Sequence, residues 1–409
     1  MKYEILKSIR DAVIEEDCIW IITDYLNCLF KYDFRSQEIE AAAVFPDTMS
    51  CSFASFSQIL KLENEIYFIP RMARSVFCYD IVKTKFYEVN IPFEGFQSDK
   101  KMDAIVYGKD IYCVNRYPDI VIKIDSMSKE TEVFFPDKSN AVKEEMEGKV
   151  HKAYKAPCIF QKQLIWSNYN DTLTIFDIKT KAFSIEHLNG VMFGMVERLQ
   201  KPLDRQVKDW IVGVRSFRER IWLFSFEGKV FLHDLGMHRT EFISMEQYKR
   251  YDDTDNIREL VIHDLAIVKG EVFFIPSYEN QYIKYDCSTR QFEECMGESL
   301  RSWKNYRRSY TLCKVFNYNI WLYSYYENCF YILDTKKNVE HKKQLEICYK
   351  KLIMENPLFE DMMTKNKAYE FDDLDYLCDK VSAGDSKGKM EKDFSMVGKR
   401  ILSKFITET

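Results

Sequence analysis

One motif recurs seven times along the chain: a short apolar run that ends in an aspartate. Successive aspartates are 45 to 57 residues apart, and the runs before them include CLFKYD, SVFCYD, TLTIFD and CFYILD. A repeat of this length is typical of an array of small structural units, each packing against its neighbours. The seven anchor aspartates are Asp33, Asp80, Asp125, Asp177, Asp234, Asp286 and Asp334.

An aromatic residue accompanies each anchor, 11 to 13 positions before it and directly after an aliphatic residue. Only 15% of the chain is aromatic, so seven aromatics in seven units are not a chance of composition. We expect this column to be buried between neighbouring units. Its members are Trp20, Tyr67, Tyr112, Trp166, Trp222, Phe273 and Trp321.

Each unit contains four strand-like segments. In the second unit they are QILKLEN, EIYFIP, SVFCYDI and KFYEVNI, separated by short polar turns. The turn after the anchor carries Thr or Ser, and Asp, Ser and Thr close such turns by accepting backbone N–H bonds. Four-stranded units with this spacing predict an all-β fold, a seven-bladed β-propeller. We expect the propeller to occupy residues 1–346, followed by a short C-terminal helical extension over 347–409.

The second half of the unit resembles the Kelch repeat, in which an apolar strand leads to Tyr-Asp, a Thr-bearing turn and an aromatic residue. The matching segments are YDIVKTKF (79–86), FDIKTKAF (176–183) and YDCSTRQF (285–292). The Gly-Gly pair of the Kelch motif is absent from all seven units, so this is a divergent Kelch-like repeat. The resemblance covers roughly residues 10–340. It implies a propeller and, by analogy, either an interaction module or an enzyme.

Two interpretations of ring closure stand side by side. In the first, residues 340–356 are helical, because Leu345, Cys348 and Leu352 are spaced three and four apart. The N-terminal KYEILKSI then supplies the missing outer strand of the last blade. In the second, NVEHKKQLEI is that outer strand, and KYEILKSI extends the first inner strand.

Composition narrows the range of partners and locations. The net charge is −5, which argues against nucleic acid as a partner. No apolar run approaches the length of a membrane span. Twelve cysteines lie mostly in strand patterns with no CxxC, and the start of the chain has no apolar signal segment. We therefore expect reduced thiols and a cytoplasmic protein.

The sequence contains no recognisable catalytic, metal or cofactor motif. The six histidines form no HxH or HExxH, and P-loop, GxSxG and GxGxxG patterns are missing. We expect no metal and no cofactor. His233 and His238 are interpreted as surface residues beside a turn. His263 opens an inner strand, where its side chain can point into the channel or serve the core.

The turns between the second and third strands form the most plausible binding face. They lie on the same face as the connectors between blades, around the mouth of the central channel, and five of them carry a tyrosine. Two connector residues, Trp303 and Arg307, combine stacking with anion binding. With His263, the remaining ligand-binding candidates are Tyr25, Arg71, Arg116, Tyr117, Asn168, Tyr169, Tyr278, Glu279 and Tyr326.

Two functions fit this face. The first is a non-catalytic binding propeller that presents aromatic and charged turns to a partner protein, peptide or glycan. The second is a lyase or hydrolase that acts on a carbohydrate or related small molecule at the channel mouth. A structural interpretation stays open beside both: the tyrosines cover blade edges, and the basic connector is a solvated loop.

Overall fold

The structure is a computed structural model. It describes residues 3–46, 49, 55–71, 73, 75–91, 102–116, 119–136, 157–167, 172–188, 195–196, 207–208, 211–225, 229–243, 250–251, 257–258, 262–276, 282–295, 310–325 and 327–359.

The fold is a seven-bladed β-propeller. Each blade is a four-stranded antiparallel sheet whose strands pair in chain order, so every connection within a blade is a hairpin. Blades 1 to 4 have the following strands: Ile9–Ile14, Cys18–Thr23, Cys28–Asp33 and Ile39–Val44; Phe56–Leu62, Glu65–Pro70, Val76–Asp80 and Lys85–Val89; Met102–Tyr107, Asp110–Arg116, Asp119–Asp125 and Thr131–Phe134; Cys158–Phe160, Gln163–Ser167, Thr172–Asp177 and Phe183–His187.

Blades 5 to 7 repeat the pattern: Ile211–Phe217, Arg220–Ser225, Val230–Asp234 and Arg239–Ile243; Ile262–Val268, Glu271–Pro276, Tyr282–Asp286 and Gln291–Cys295; Tyr310–Phe316, Asn319–Ser324, Cys329–Asp334 and Val339–Lys343. Among the described residues, three two-stranded ladders lie outside the blades: Glu4–Ile5 with Glu346–Ile347, Met195–Val196 with Val207–Lys208, and Arg250–Tyr251 with Ile257–Arg258. A helix covers Tyr349–Glu355.

All seven anchor aspartates occupy one structural position, the end of the third strand. Each carboxylate accepts backbone N–H bonds from the residues two and three positions on. The residue four positions on then has a positive φ of 50–63° in every blade, which turns the chain into the fourth strand. These residues are Gln37, Thr84, Lys129, Lys181, His238, Arg290 and Asn338. The predicted Asp turn is confirmed.

The predicted aromatic column forms most of the interfaces between blades. Trp20 of blade 1 packs in one cluster with Ile59 and Phe68 of blade 2. The same step repeats around the ring, and Trp321 of blade 7 packs with Ile19 of blade 1. The column members at the other interfaces are Tyr67, Tyr112, Trp222 and Phe273. Burial of these rings against the following blade closes the circle.

Blade 4 departs from the column. There Ile165 takes the position opposite the anchor strand that an aromatic holds elsewhere, and it packs with Ile221 and Leu223 of blade 5. Trp166 is one residue further along the strand, so its ring points to the other face and packs with Tyr112 of blade 3. Because side chains alternate along a strand, this shift of one position changes the neighbouring blade. Trp166 is thus buried between blades 3 and 4, and the prediction that it packs in the same position as the other column members is wrong.

The first interpretation of ring closure is wrong. Val339–Lys343 pairs with the third strand of blade 7, so this blade supplies its own outer strand from residues after Asp334. The N-terminus contributes a smaller clamp, in which Glu4–Ile5 pairs with Glu346–Ile347 and the Leu6 amide donates to the Leu345 carbonyl at 2.8 Å. The helical spacing of Leu345, Cys348 and Leu352 lies beyond this strand, and the helix begins only at Tyr349.

The residues after blade 7 pack back onto blade 1. Phe359 is fully buried and its ring meets Phe30 edge-on, with the ring centroids 6.2 Å apart. The Asn356 side-chain Nδ2 donates to the Ala41 carbonyl at 3.3 Å, and Lys351 pairs with Glu38 at 2.9 Å. The predicted helices beyond residue 359 lie outside the described residues, and the boundary at 346 stays a prediction.

Candidate functional site

The innermost strands carry a recurrent irregularity near the channel mouth. In blades 1, 2, 5, 6 and 7 the first strand has a register shift close to its start. Such bulges insert an unpaired residue and redirect its side chain. The inserted residues are Arg10, Ser57, Val212, His263 and Thr311. The bulge therefore places a different residue type at one equivalent backbone position in five blades.

Arg10, in the bulge of blade 1, grips a carboxylate from the same blade. Its Nε donates to Asp24 Oδ1 at 2.6 Å and its Nη2 donates to Asp24 Oδ2 at 2.9 Å. Asp24 follows the second strand and its side chain is only 3% exposed. Its amide donates to the Ser8 carbonyl at 3.0 Å. A bidentate pair of this kind fixes both partners in position.

Arg71 joins this pair from blade 2. Its amide and that of Ala73 both donate to the Ser55 carbonyl at 3.0 Å, which holds the turn. The Ser55 hydroxyl in turn donates to Asn27 Oδ1 at 3.1 Å, so the turn of blade 2 is tied to the loop after Asp24. These hydrogen bonds link blades 1 and 2 at the mouth of the channel.

The charge environment of Arg71 shows which groups face it. Burial is the largest influence and lowers the pKa of the guanidinium, and the charge of Arg10 lowers it further. Asp24 and the phenol of Tyr325 act in the opposite direction. Tyr325 follows the second strand of blade 7. Groups from blades 7, 1 and 2 therefore influence the charge of Arg71. We call these four residues the mouth cluster: Arg10, Asp24, Arg71 and Tyr325.

Deeper in the channel, ion pairs join the inner strands of neighbouring blades. Lys314 of blade 7 lies 2.8 Å from Asp11 of blade 1, and the other Asp11 oxygen accepts the Ile59 amide of blade 2 at 2.8 Å. Arg215 of blade 5 donates to both oxygens of Asp264 of blade 6 at 2.7 and 3.0 Å. The two pairs occupy equivalent register positions, opposite Trp321 and Trp222. They stabilise the wall beneath the mouth.

The predicted site residues are only partly covered by the described structure. Arg71 lies in the mouth cluster, and Tyr25 is half-buried beside Asp24. Arg116 ends the second strand of blade 3 and His263 lies in the blade 6 bulge, but their side chains are outside the described structure. Eight candidates fall outside the described residues altogether: Tyr117, Asn168, Tyr169, Tyr278, Glu279, Trp303, Arg307 and Tyr326.

Sequence reasoning missed Arg10 and Asp24. Arg10 lies within a strand, and a bulge has no signature in a single sequence, so nothing marked it as turned toward the mouth. Asp24 lies within the predicted turn TDYLN, in which Tyr25 was the residue predicted to bind a ligand. The sequence did contain a signal for this pair: a charged residue at the start of an inner strand, with an acidic residue some 14 positions later.

The expectation for His233 is wrong, whereas that for His238 is confirmed. The His233 side chain is fully buried, its Nδ1 lies 2.9 Å from Thr240 Oγ1, and its Nε2 lies 3.3 Å from the Glu186 carboxylate. Burial lowers the pKa of His233. His238 is 67% exposed and shares the same carboxylate at 3.0 Å. This trio joins blades 4 and 5 and lies away from the mouth cluster.

In the part of the chain that the structure describes, no group of three or more His, Cys, Asp or Glu side chains is arranged to hold a metal ion. Among the same residues, no helix has both the length and the apolar character needed to cross a membrane.

The fold places the chain in the class of β-propellers, and the proteins similar to it are similar in shape alone. No protein-family model matches the sequence, and no curated protein matches it. Among solved structures, virginiamycin B lyase from Staphylococcus aureus superposes with a TM-score of 0.55 at 11% identity, covering 79% of this chain and 96% of that one.

Two further structures show the same architecture. YCF48 bound to D1 peptide has a TM-score of 0.54 at 9% identity and covers 78% of this chain and 91% of that one. PorZ, described as a surface component of the type-IX secretion system of Porphyromonas gingivalis, has a TM-score of 0.51 at 11% identity and covers 84% of this chain and 39% of that one. At these identities the likeness defines the fold.

Proposed function

We propose that this protein is a non-catalytic binding propeller that recognises a partner protein or peptide through the face around its channel mouth. The observation that carries the proposal is the convergence of three blades on the mouth cluster. Arg10 holds Asp24 in a bidentate ion pair, and Arg10, Asp24 and Tyr325 all influence the charge of Arg71 on blade 2. A rigid scaffold that collects charged and aromatic groups on turns is suited to recognition.

A peptide is the partner that the fold neighbours favour. The structure of YCF48 holds a peptide on a propeller of similar shape. In our protein, Tyr25 and Tyr325 are half-buried in the turns that follow the second strands of blades 1 and 7, and a tyrosine offers flat apolar surface with a polar tip. A glycan stays within the proposal, since stacking on tyrosine suits a sugar ring as well.

The enzyme alternative has weaker support. Virginiamycin B lyase shares the fold at 11% identity, which says nothing of its chemistry here. Asp24 is the carboxylate of the mouth cluster, and both of its oxygens are engaged by Arg10. A carboxylate whose two oxygens are both taken by a bidentate ion pair is poorly placed to accept a proton from a substrate. The described mouth therefore favours binding over acid–base chemistry.

Two further expectations remain proposals. The divergent Kelch-like identity is supported by the Asp turn that recurs in all seven blades. The cytoplasmic location is supported by the thiols: ten cysteines lie in the described residues, all are free, and eight of them are buried.

The proposal is tested by comparing two tyrosines at opposite ends of the blades. Tyr25 lies in a turn at the mouth, whereas Tyr318 lies in a hairpin turn at the other end of blade 7 and is 44% exposed. A partner is first recovered with the wild-type protein as bait, and its affinity is then measured for Tyr25→Ala and Tyr318→Ala. Removal of a central interface aromatic costs about 2 kcal/mol, roughly thirtyfold in affinity.

We expect that loss for Tyr25→Ala and unchanged affinity for Tyr318→Ala. Wild-type affinity in both variants, with normal thermal unfolding, would remove the mouth as the binding face.

A further inference from the structure

We propose that the propeller docks on an anionic membrane surface through a basic arc across blades 4 to 7, on the face opposite the mouth. This face, the Asp-turn face, carries two turns of every blade: the hairpin between the first and second strands and the Asp turn between the third and fourth. The inference goes beyond the proposed function, which concerns the other end of the blades. The basic arc consists of Lys162, Lys179, Arg218, Lys269, Arg290 and Lys336.

Charge is distributed unevenly around the Asp-turn face. Both turns of every blade lie in the described residues. In blades 4 to 7 they expose eight lysines and arginines and one carboxylate, whereas in blades 1 to 3 they expose three lysines and arginines and five carboxylates. When the anchor aspartates and the partly buried turn residues are included, the net charge is +3 for blades 4 to 7 and −5 for blades 1 to 3. One side of this face is therefore basic in a protein that is acidic as a whole.

The side chains of the basic arc are not neutralised within the protein. Among the described residues, no carboxylate lies within ion-pair distance of any of them. The other two exposed lysines of these turns are outside the arc because they are paired: Lys181 with Glu132 at 2.6 Å and Lys337 with Asp334 at 3.5 Å. The charge of the arc is thus available to an external anion.

Contacts between turns join the arc across blades 5, 6 and 7. The Arg218 guanidinium reaches from blade 5 to the first hairpin of blade 6, where a Cβ at Gly270 would lie 3.9 Å from Arg218 Nη2. Next to Gly270, the Lys269 ammonium lies 5.3 Å from the centre of the Tyr318 ring of blade 7. The Lys336 ammonium, from the Asp turn of blade 7, lies 5.8 Å from the same centre. Cations of three neighbouring blades therefore lie side by side.

Exposed apolar side chains accompany these cations. Tyr318 is 44% exposed, and Met237 in the Asp turn of blade 5 is 61% exposed. Lysine and arginine are attracted to the anionic headgroups of a bilayer, and tyrosine rings favour the depth of the headgroups. Because all these side chains are on hairpins at one end of the blades, a planar surface contacts several of them at once.

A membrane fits this face better than a nucleic acid. Single-stranded nucleic acids bind where their bases stack on open aromatic rings, whereas two ammonium groups already lie over the Tyr318 ring. The net charge of −5 does not prevent docking on an anionic surface. At physiological ionic strength charges are screened beyond about 8 Å, so the turns that face the membrane determine the attraction.

The test is sedimentation of the full-length protein with two kinds of vesicle: phosphatidylcholine alone, and phosphatidylcholine with about a third phosphatidylserine. The arc variant is the triple substitution Arg218→Gln, Lys269→Gln and Lys336→Gln. The control variant, Arg35→Gln, Lys83→Gln and Lys109→Gln, removes the same number of exposed charges from the turns of blades 1 to 3 on the same face. Thermal unfolding checks that both variants are folded.

We expect the wild type and the control variant to sediment with the phosphatidylserine vesicles and not with phosphatidylcholine alone. Each basic residue near an anionic surface raises partitioning about fivefold, so the arc variant should bind on the order of a hundredfold more weakly. Binding should also be lost towards 1 M salt, where the screening length is about 3 Å. A variant that keeps the charges, Arg218→Lys with Lys269→Arg and Lys336→Arg, should bind as wild type.

Three results would overturn the inference. Equal loss of binding in the arc and control variants would mean that net charge acts without regard to position. Equal sedimentation of the wild type with both kinds of vesicle would mean that anionic lipid is not recognised. Tighter binding of the wild type to oligouridylate or to polyglutamate than to phosphatidylserine vesicles of the same total charge would assign the arc to a nucleic acid or to an acidic protein.

Discussion

At the scale of single residues, the anchor aspartates explain why a chain without Gly-Gly pairs still forms sharp hairpins. Each carboxylate accepts two backbone N–H bonds within its turn. The residue four positions after the aspartate, which is never glycine, then adopts a positive φ. That conformation costs an L-residue about 1–2 kcal/mol. The Asp turn offsets the cost seven times, which is why the aspartate and not a glycine recurs in the sequence.

The Asp286 turn gives a prediction about acid stability. The Ser288 hydroxyl donates to Asp286 Oδ1 at 2.6 Å and the Ser288 amide at 2.7 Å, and these bonds lower the pKa of Asp286 to about 2. An unfolded aspartate has a pKa of about 3.9. The lowered folded pKa stabilises the protein above the unfolded value, and this stability is lost as the pH falls from about 4 to about 2.

Asp286→Asn keeps an acceptor but does not titrate in this range. Its melting temperature should therefore fall less steeply than that of the wild type between about pH 4 and pH 2. Parallel curves for the two proteins would contradict the assignment.

At the scale of the strand and blade, the aromatic at the third position of the second strand is the main contact with the next blade. Trp222 is 2% exposed, and its ring lies 5.4 Å from that of Tyr285 and 6.1 Å from that of Phe274. Trp222→Ala leaves a cavity at the interface of blades 5 and 6 and should lower the free energy of unfolding by about 3–5 kcal/mol. Urea unfolding followed by circular dichroism measures the loss.

A conservative Trp222→Phe variant is the control and should lose less, because part of the ring contact remains. If Trp222→Ala unfolds at the same urea concentration as wild type, the side chain is not at an interface and the strand register is wrong.

The contrast between the column and the mouth shows what a single sequence can reveal. Trp20 and Trp321 were predictable because seven copies repeat one packing position, and repetition is visible without coordinates. The face of the strand on which Trp166 lies was not predictable, since a shift of one position along the strand reverses the face. The same limit hid Arg10: a bulge depends on how two strands pair, and pairing is a long-range property.

At the scale of the whole molecule, the ring is closed by side-chain packing together with a short ladder of backbone bonds. Trp321 packs onto blade 1, and the segment containing Leu6 crosses to the residues after blade 7. Leu6 is 1% exposed and shares a cluster with Leu345 and Ile347. The two ends of the chain therefore hold each other, although neither supplies a strand to the other's blade.

Leu6→Ser should weaken this closure. Loss of a buried leucine side chain costs about 2–5 kcal/mol, and its effect falls on the junction of blades 7 and 1 and thus on the mouth cluster beside it. Tyr3→Ser is the matched control, because Tyr3 lies on the same segment and is 53% exposed. Differential scanning calorimetry should show a lower melting temperature for Leu6→Ser alone. A shift of equal size in both variants would mean that the segment acts through something other than burial of Leu6.

Hydrogen–deuterium exchange in the presence and absence of the recovered partner tests the central claim, that the mouth over blades 7, 1 and 2 is the binding face. Peptides that contain residues 23–28 and 66–71 should exchange more slowly in the complex. Peptides that contain the Asp turns at 34–37 and 81–84, at the opposite end of the same blades, should be unchanged. Protection of those turns, with unchanged exchange at 23–28 and 66–71, would contradict the claim.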